Sequence, residues 1–396
     1  MLLKNAFKIG AVCVLLSVVI GFISALFLSS LSLVANIRSE NIWIIWLLPF
    51  VGFFVGYIYH RYGNEANKGT NYILQSLENE KSVIPIRMAP LVFSGTVLSH
   101  LFGASAGREG TAVQVGGVVA DYFRNLFQLK TNLKKLFLLC GITAGFSSVF
   151  GLPYAAIVFS LEVATWKKLN IWYIIPIAFC SLVSHWVCLS FGIKHLTFPT
   201  IKIPTMDFSV VLSVIIVGGI CLLVGLLFVT LSKYISKLLQ RFTNFAPVYP
   251  FIGGCILVIG YYIIGDMRFA GLGVSTIQNG FFVLQPNTDF ALKLLFTAIT
   301  IGSGFKGGEV TPLFFIGVTL ASAIGIFFSL PLSFLAALCF VGVFSSATKL
   351  PFVSFVMALE LFGTEGILWY LLVTYITGSI LRERSIYNTN DTLIID

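Results

Sequence analysis

The chain has 396 residues, of which 57% are hydrophobic and 10% are charged, and its net charge is +9 at pH 7. Because about a quarter of the residues in a soluble globular domain are charged, this composition excludes that class and indicates an integral membrane protein. The basic residues are spread among short loops, which argues against a nucleic-acid-binding domain and agrees with the positive-inside rule, and the seven single cysteines show no redox or zinc spacing.

Long apolar runs occur at both ends and in the middle of the chain. A helix rises about 1.5 Å per residue and the hydrocarbon core is about 30 Å thick, so about 20 residues are needed to cross it. The runs that we expect to cross the bilayer are 9–36, 41–59, 171–193, 208–232 and 366–381. The first is interpreted as a membrane helix and not as a cleaved signal, because it is long and is followed by further apolar segments.

Four other apolar runs are shorter and are interrupted by Gly, Pro or Ser. They lie at 136–150, 152–165, 312–328 and 334–348. Irregular backbone at membrane depth is tolerated only where it is buried in protein or lines a watery cavity. These runs therefore predict broken or re-entrant helices around a central site.

Two similar glycine-rich segments each carry one glutamate. In GREGTAVQVGG at 107–117 and GGEVTPLFFIG at 307–317, a Gly, the Glu, a Thr and the last Gly coincide. An ionisable side chain at bilayer depth costs roughly 2.5–3.5 kcal/mol, so it is usually retained there for ion or proton handling. Glu109 and Glu309 are therefore the first candidate functional residues.

The chain also repeats itself at a shift of 198 positions, where eight of the 17 residues between 146 and 162 match. The coinciding motifs are Phe-Ser-Ser at 146 and 344, Leu-Pro at 152 and 350, and Leu-Glu at 161 and 359. This repetition predicts two homologous halves, a first membrane repeat at 1–205 and a second at 206–396, with no soluble regulatory domain.

Loop charge predicts that the two halves have opposite orientations. Arg124, Lys130, Lys134 and Lys135 lie between the Glu109 segment and the Phe-Ser-Ser motif, whereas the equivalent stretch 322–335 has no charge. Under the positive-inside rule, equivalent loops then face opposite sides of the membrane. Inverted repeats with broken helices are a recurrent transporter architecture, with the substrate near the midplane. Helix N-termini there carry partial positive charge, which favours an anion.

These motifs, GREG at 107–110, GGEVTP at 307–312, the duplicated Leu-Pro and Tyr387 after the last helix, resemble the CLC anion channel and transporter family along almost the whole chain. The resemblance implies an all-α polytopic membrane protein whose two inverted helical halves meet at a midplane anion site. It also implies a homodimer with one pore in each subunit.

Within that family, three differences from chloride-type members favour the fluoride/proton antiporter branch. Glu309 stands where those members usually have a hydrophobic residue, Thr111 stands where they have Pro, and GTNYI at 69–73 replaces Gly-Ser-Gly-Ile-Pro. Two departures remain. Thr70 stands where the fluoride branch commonly has Asn or Met, and Val163 stands where many chloride/proton exchangers have a proton-relay glutamate.

By resemblance, Glu109 is the gating glutamate, whose ionised side chain can occupy the anion path and whose protonated form leaves it. Glu309 would relay the proton or donate a hydrogen bond to fluoride when protonated, with a helix cap as the alternative. The anion-binding candidates, which offer O–H or N–H donors, are Thr70, Asn71, Gly110, Thr111, Val310, Thr311 and Tyr387. Thr and Asn are also ordinary helix caps, and Tyr387 could instead be an interfacial anchor.

The expected function is fluoride export by fluoride/proton antiport across the cell membrane, which would give fluoride resistance without a cofactor or a metal. A chloride or general halide exchanger or channel of the same family is the first alternative. An intramembrane serine hydrolase is a remote one, since GASAG at 103–107 matches a nucleophile motif that needs a strand–turn–helix context. Glu162 and Glu360 are expected at helix ends or interfaces, outside the site.

Overall fold

A computed structural model of the chain describes residues 2–79, 81–164 and 170–387, and its side chains from residue 7 onward. The described residues before 200 form eight α-helices: α1 (Leu2–Glu40), α2 (Leu48–Tyr62), α3 (Thr70–Ser76), α4 (Met88–Leu101), α5 (Glu109–Leu126), α6 (Lys134–Phe150), α7 (Pro153–Val163) and α8 (Ile174–Ser190). Eight follow: α9 (Phe208–Phe242), α10 (Val248–Ile264), α11 (Val274–Asn279), α12 (Asp289–Gly302), α13 (Val310–Ile324), α14 (Leu332–Thr348), α15 (Pro351–Phe362) and α16 (Ile367–Ser379). No strand occurs within these described ranges, which confirms the all-α prediction.

Six helical stretches in the described part of the chain are long and apolar enough to cross a membrane. They are Phe7–Glu40, Ile42–Tyr62, Thr131–Phe150, Ile171–Ser190, Phe208–Phe242 and Val310–Phe327. The other apolar helices are shorter, as expected of a protein with broken helices around a central site. The chain is therefore a multi-pass membrane protein.

Three helical stretches differ in length from the sequence prediction, and one is the run 312–328, which was predicted to be short and broken but lies in the crossing-length stretch Val310–Phe327. The predicted crossing run 366–381 forms only α16, whose 13 residues span about 20 Å, because Ile380 leaves the helix with φ −85° and ψ 134°. The run 136–150, predicted to be short, belongs to the longer stretch Thr131–Phe150. The prediction missed its start because Lys134 and Lys135 interrupt the apolar pattern although both are helical.

The basic residues of the α5–α6 connection gather at one end of these two helices. Lys134 is only 1% exposed, and its ammonium donates to the backbone oxygens of Asn79 and Ser82 at 3.0 and 2.5 Å. Arg124 pairs with Asp121 at 3.2 Å near the end of α5. From the positive-inside rule we expect this end to face the cytoplasm and the first residues of α5 to point toward the outer side.

Glycines let the helices that carry the site approach closely. A Cβ placed on Gly116 of α5 would overlap the backbone of Gly141 in α6, and the reverse also holds. In the second part of the chain, a Cβ on Gly317 of α13 would overlap the backbone of Cys339 in α14. Each of α5 and α13 is therefore fixed by backbone-to-backbone packing against the helix that follows it.

A glutamate near the end of each of the helices α7 and α15 caps the start of the other helix. Glu162 at the end of α7 accepts from Val353 N of α15 at 2.8 Å, and Glu360 at the end of α15 accepts from Ala155 N of α7 at 2.9 Å. Each carboxylate thus satisfies backbone N–H groups that have no partner within their own helix. Both glutamates lie at helix ends, where the sequence analysis had placed them.

Candidate functional site

The two glycine-rich segments pair through their backbones. Gly107 N donates to Gly308 O at 2.5 Å, and Gly308 N donates to Gly107 O at 2.8 Å, which forms an isolated antiparallel bridge. Gly307 has a φ of +155°, which favours glycine, and a Cβ on Gly308 would lie 2.6 Å from Glu109 Oε2. Because α5 and α13 begin directly after this bridge, the N-termini of both helices meet at one place.

Glu109 is the first residue of α5 and is 1% exposed. Its Oε2 accepts from Arg108 N at 2.9 Å, and its Oε1 accepts from Thr311 N at 3.2 Å and from the Thr311 hydroxyl. The carboxylate therefore caps α13, a helix from the other end of the chain, whose N-terminus carries about half a positive charge. Chemically, it occupies a position that suits a small anion.

Glu309 directly precedes α13 and is half-buried, but its side chain makes no capping hydrogen bond to that helix. Its carboxylate is instead hydrogen-bonded to the Tyr387 hydroxyl, and it also interacts electrostatically with the Glu109 carboxylate. The C-terminal segment is fixed beside α14, because Ile386 N donates to Ala347 O at 3.0 Å. The tyrosine and the two glutamates, predicted as site residues, thus lie close together.

Thr70, another predicted site residue, starts α3 after Gly69, whose φ is +58°. Its hydroxyl accepts from Gln114 Nε2 at 3.2 Å, and a Cβ on Gly110 would lie 3.4 Å from it. Sequence reasoning missed Gln114. The signal was available, since Gln114 is a polar residue four positions after Gly110 and therefore on the same face of α5.

The remaining predicted donors lie on these same helix starts. The Thr111 hydroxyl is hydrogen-bonded to that of Thr96 in α4 at 2.6 Å, so it already has a protein partner, which the sequence did not indicate. Asn71 is half-buried next to Thr70, and Val310 is buried as the first residue of α13. The roles of all these residues in anion binding stay predictions.

Ser105 of the GASAG motif does not have the surroundings of a hydrolase nucleophile. It lies between α4 and α5, and its hydroxyl is hydrogen-bonded to that of Thr297 at 3.0 Å. Its backbone N donates to the Thr300 hydroxyl at 3.1 Å. Both partners belong to α12, and the described residues around the motif contain no strand that could form a nucleophile elbow.

Comparison with known sequences gives matches along most of the chain. A sequence model described as voltage gated chloride channel matches residues 51–383. A chloride/fluoride channel protein of Pseudomonas syringae pv. tomato is 38% identical over 357 residues, which are 89% of this chain and 79% of that protein. A voltage-gated ClC-type chloride channel of Escherichia coli O9:H4 is 24% identical over 301 residues, 71% of this chain and 69% of that one.

Solved structures share the fold over nearly its whole length. The crystal structure of a CLC-type fluoride/proton antiporter matches with a TM-score of 0.92 and 30% identity, covering 97% of this chain and 98% of the other. The crystal structure of a slow cyanobacterial Cl−/H+ antiporter matches with a TM-score of 0.82 over 98% of both chains, and its 17% identity makes it evidence of fold alone. Both matches confirm the polytopic helical fold expected from the sequence.

Proposed function

Because this chain belongs to the voltage-gated chloride channel (CLC) family, we propose that it exports fluoride across the cell membrane in exchange for protons and so gives fluoride resistance. The observation that carries the proposal is the Glu109 carboxylate at the start of α13, where it accepts from Thr311 N and the Thr311 hydroxyl. A chloride/fluoride channel relative and a fluoride/proton antiporter of the same fold support the choice of ion.

The exchange follows from competition for the same donors. An ionised Glu109 and a fluoride ion both need the N–H and O–H groups of Thr311, so only one of them can occupy the start of α13. Protonation removes the charge that holds the side chain there and frees the donors for fluoride. A proton taken up by Glu109 is thereby exchanged for an anion at this place.

Glu309 and Tyr387 supply a second proton-handling pair beside the first. Val163, at the end of α7, cannot relay a proton, while the Glu309 carboxylate is hydrogen-bonded to Tyr387 and lies near Glu109. We propose that Glu309 passes protons on the cytoplasmic side of Glu109, or donates to fluoride when it is itself protonated. Thr70, Asn71, Gly110, Thr111, Val310, Thr311 and Tyr387 are the proposed anion-binding residues.

We further propose that the chain is a transporter and not an enzyme, and that it forms a homodimer with one pore in each subunit. We also propose that residues 1–205 and 206–396 are its two repeats. The pairing of Gly107 with Gly308 supports the two repeats, since equivalent segments meet near a common axis. The reciprocal hydrogen bonds of Glu162 with α15 and of Glu360 with α7 support the two repeats in the same way.

The test is ion efflux from liposomes that contain the purified chain and are loaded with equal fluoride and chloride, with internal pH followed while a pH gradient is varied. We expect fluoride release with opposing proton movement. Equal release of chloride would instead establish the general halide exchanger. Fluoride release that is indifferent to the pH gradient would establish a channel and remove the exchange role of Glu109.

A further inference from the structure

Two histidines and an arginine, all half-buried, form a cluster beside Glu109, and the space between their buried nitrogen atoms is called the histidine pocket. His185 lies on α8 and His195 follows it in the connection to α9, with ring centroids 5.4 Å apart and planes 22° from parallel. Arg108, the residue before Glu109, interacts electrostatically with His195. Gly151, which ends α6 with a φ of +76°, leaves room for the His195 ring, because a Cβ there would overlap it.

Several polar atoms of this pocket have no protein partner. In the described part of the chain, the buried nitrogens without a hydrogen bond include Nδ1 and Nε2 of His195, Nδ1 of His185 and Nε of Arg108. An unsatisfied buried donor or acceptor costs about 1–3 kcal/mol, so such groups usually hold water or an ion. A neutral imidazole offers one donor and one acceptor, and Arg offers donors only. These unpaired nitrogens of Arg108, His185 and His195 therefore suit a small hydrated anion.

The pocket lies on the outer side of the gate. Arg108 and Glu109 stand at the start of α5, whereas Arg124 lies near its end, in the basic region that faces the cytoplasm. Gly151 ends α6, and the buried Lys134 starts it in the same basic region. Both helices thus place the histidine pair at the end opposite the basic loop.

The charge of His195 depends on what occupies the pocket. Burial first, and then the nearby Arg108 and His185, lower the pKa of His195 to about 4. The other titratable groups that interact with Arg108 are Glu109 and Cys188 of α8. His195 is therefore neutral near pH 7 unless an anion lies beside it, because an adjacent negative charge favours the imidazolium. By linkage, a bound anion and a bound proton stabilise each other at this place.

We propose that Arg108, His185 and His195 form an external exchange site, where a small anion leaves the Glu109 gate and a proton enters it. The identity of the anion as fluoride rests on the proposed function. A proton from the outer solution binds a His195 nitrogen, and the imidazolium and Arg108 draw the anion out of the start of α13. After the anion departs, Glu109 releases its earlier proton to the inner side and returns ionised to the start of α13. The N–H bond of the unfavourable imidazolium then breaks, and an O–H bond forms on the Glu109 carboxylate.

The test uses right-side-out membrane vesicles from cells expressing the full chain, because their orientation is known. Internal pH is held fixed, external pH is varied, and the initial rate of fluoride efflux is measured. For His195→Phe, which fills similar space without donors, we expect the rate to fall to about one tenth of the wild-type rate or below. For His195→Gln, which keeps a donor but carries no proton, we expect a smaller loss of rate and a weaker dependence on external pH than in the wild type, the remaining dependence being that of Glu109 itself.

His60→Phe is the matched control, since His60 is exposed on α2, and it should behave as the wild type. Wild-type rate and external-pH dependence in both His195 variants would overturn the exchange site and leave the pair as packing. If His195→Phe does not fold, as judged by gel filtration, the Gln variant decides. Vesicles that release chloride and not fluoride would contradict the proposed function, and the same variants read on chloride would still decide the role of His195.

Discussion

Several side chains of the candidate site are bonded to distant parts of the chain. Glu109 reaches a threonine 202 positions away, and it is held by three donors from two helix starts. Hydrogen bonds to a charged group contribute about 1.5–3 kcal/mol each when they are well made. The carboxylate is therefore stable in place only while it is ionised and the anion is elsewhere.

Replacing Glu109 tests this balance directly. In Glu109→Gln the amide can neither take up a proton nor compete as an anion for the start of α13, so proton coupling should be lost and fluoride turnover should fall at least about tenfold. Efflux and internal pH in loaded liposomes measure both quantities. Glu365→Gln, at an exposed position, is the matched control. Unchanged coupled transport in Glu109→Gln would remove the gate assignment.

The Glu309 and Tyr387 pair gives a second residue-level prediction. Glu309→Ala should impair proton-coupled fluoride movement strongly, and Tyr387→Phe, which removes only the hydroxyl bonded to it, should do so more weakly. The double variant should resemble Glu309→Ala alone, since contacting residues are not additive. The ratio of protons to fluoride in liposomes is the measurement. A normal ratio in Glu309→Ala would mean that the residue has only a structural role.

At the scale of helices, Glu162 of α7 and Glu360 of α15 each stabilise the start of the other helix. Each helix begins with a Leu-Pro step, and its first N–H groups are satisfied by a glutamate from the end of the other helix. Neither helix can rotate or slide without losing these bonds. The two glutamates therefore hold α7 and α15 rigidly together.

We expect Glu360→Ala to lower the free energy of unfolding by about 1–3 kcal/mol, because the N–H groups of Ala155 and Tyr154 lose their acceptor. Glu162→Ala should have a similar effect through Val353. The thermal unfolding midpoint in detergent measures the change, and Glu365→Ala serves as the exposed control. Ion selectivity should stay as in the wild type, and a selectivity change would show that these glutamates take part in transport.

For the whole molecule, the basic end of α5 and α6 and the connection between α8 and α9 must face opposite sides of the membrane. This follows from the positive-inside rule together with the packing of His195 against Gly151 at the far end of α6. The same arrangement places the start of α5 toward the outside. Sidedness therefore bears on both the gate and the external exchange site.

Single cysteines at two exposed positions measure that sidedness. In right-side-out vesicles, a membrane-impermeant thiol reagent should label Thr205→Cys but not Lys130→Cys, and inverted vesicles should give the reverse. Six of the native cysteines are buried and Cys255 is only partly so, which keeps the background low once Cys255 is replaced by Ser. Labelling of both positions from one side would contradict the assigned orientation.

Much of the fold was predictable from local patterns. Apolar length gave most of the crossing helices, and Gly and Pro marked the broken ones, because a bilayer leaves few alternatives for backbone polar groups. The error at α6 arose where tertiary contacts override composition, whereas α16 ends early because its backbone becomes extended at Ile380. Lys134 can be buried at the start of a helix because its ammonium donates hydrogen bonds to backbone oxygens of the α3–α4 connection.

The sequence by itself determined that this is a membrane protein of the CLC family, with two glutamates in equivalent glycine-rich segments, since these properties are written in composition and in short motifs. Only the tertiary structure decided that Glu109 caps α13, that Glu309 meets Tyr387 and that His185 stacks on His195. The reason is physical. Such contacts join residues from separate helices, and only the packing of the whole chain fixes which helix ends and side chains meet.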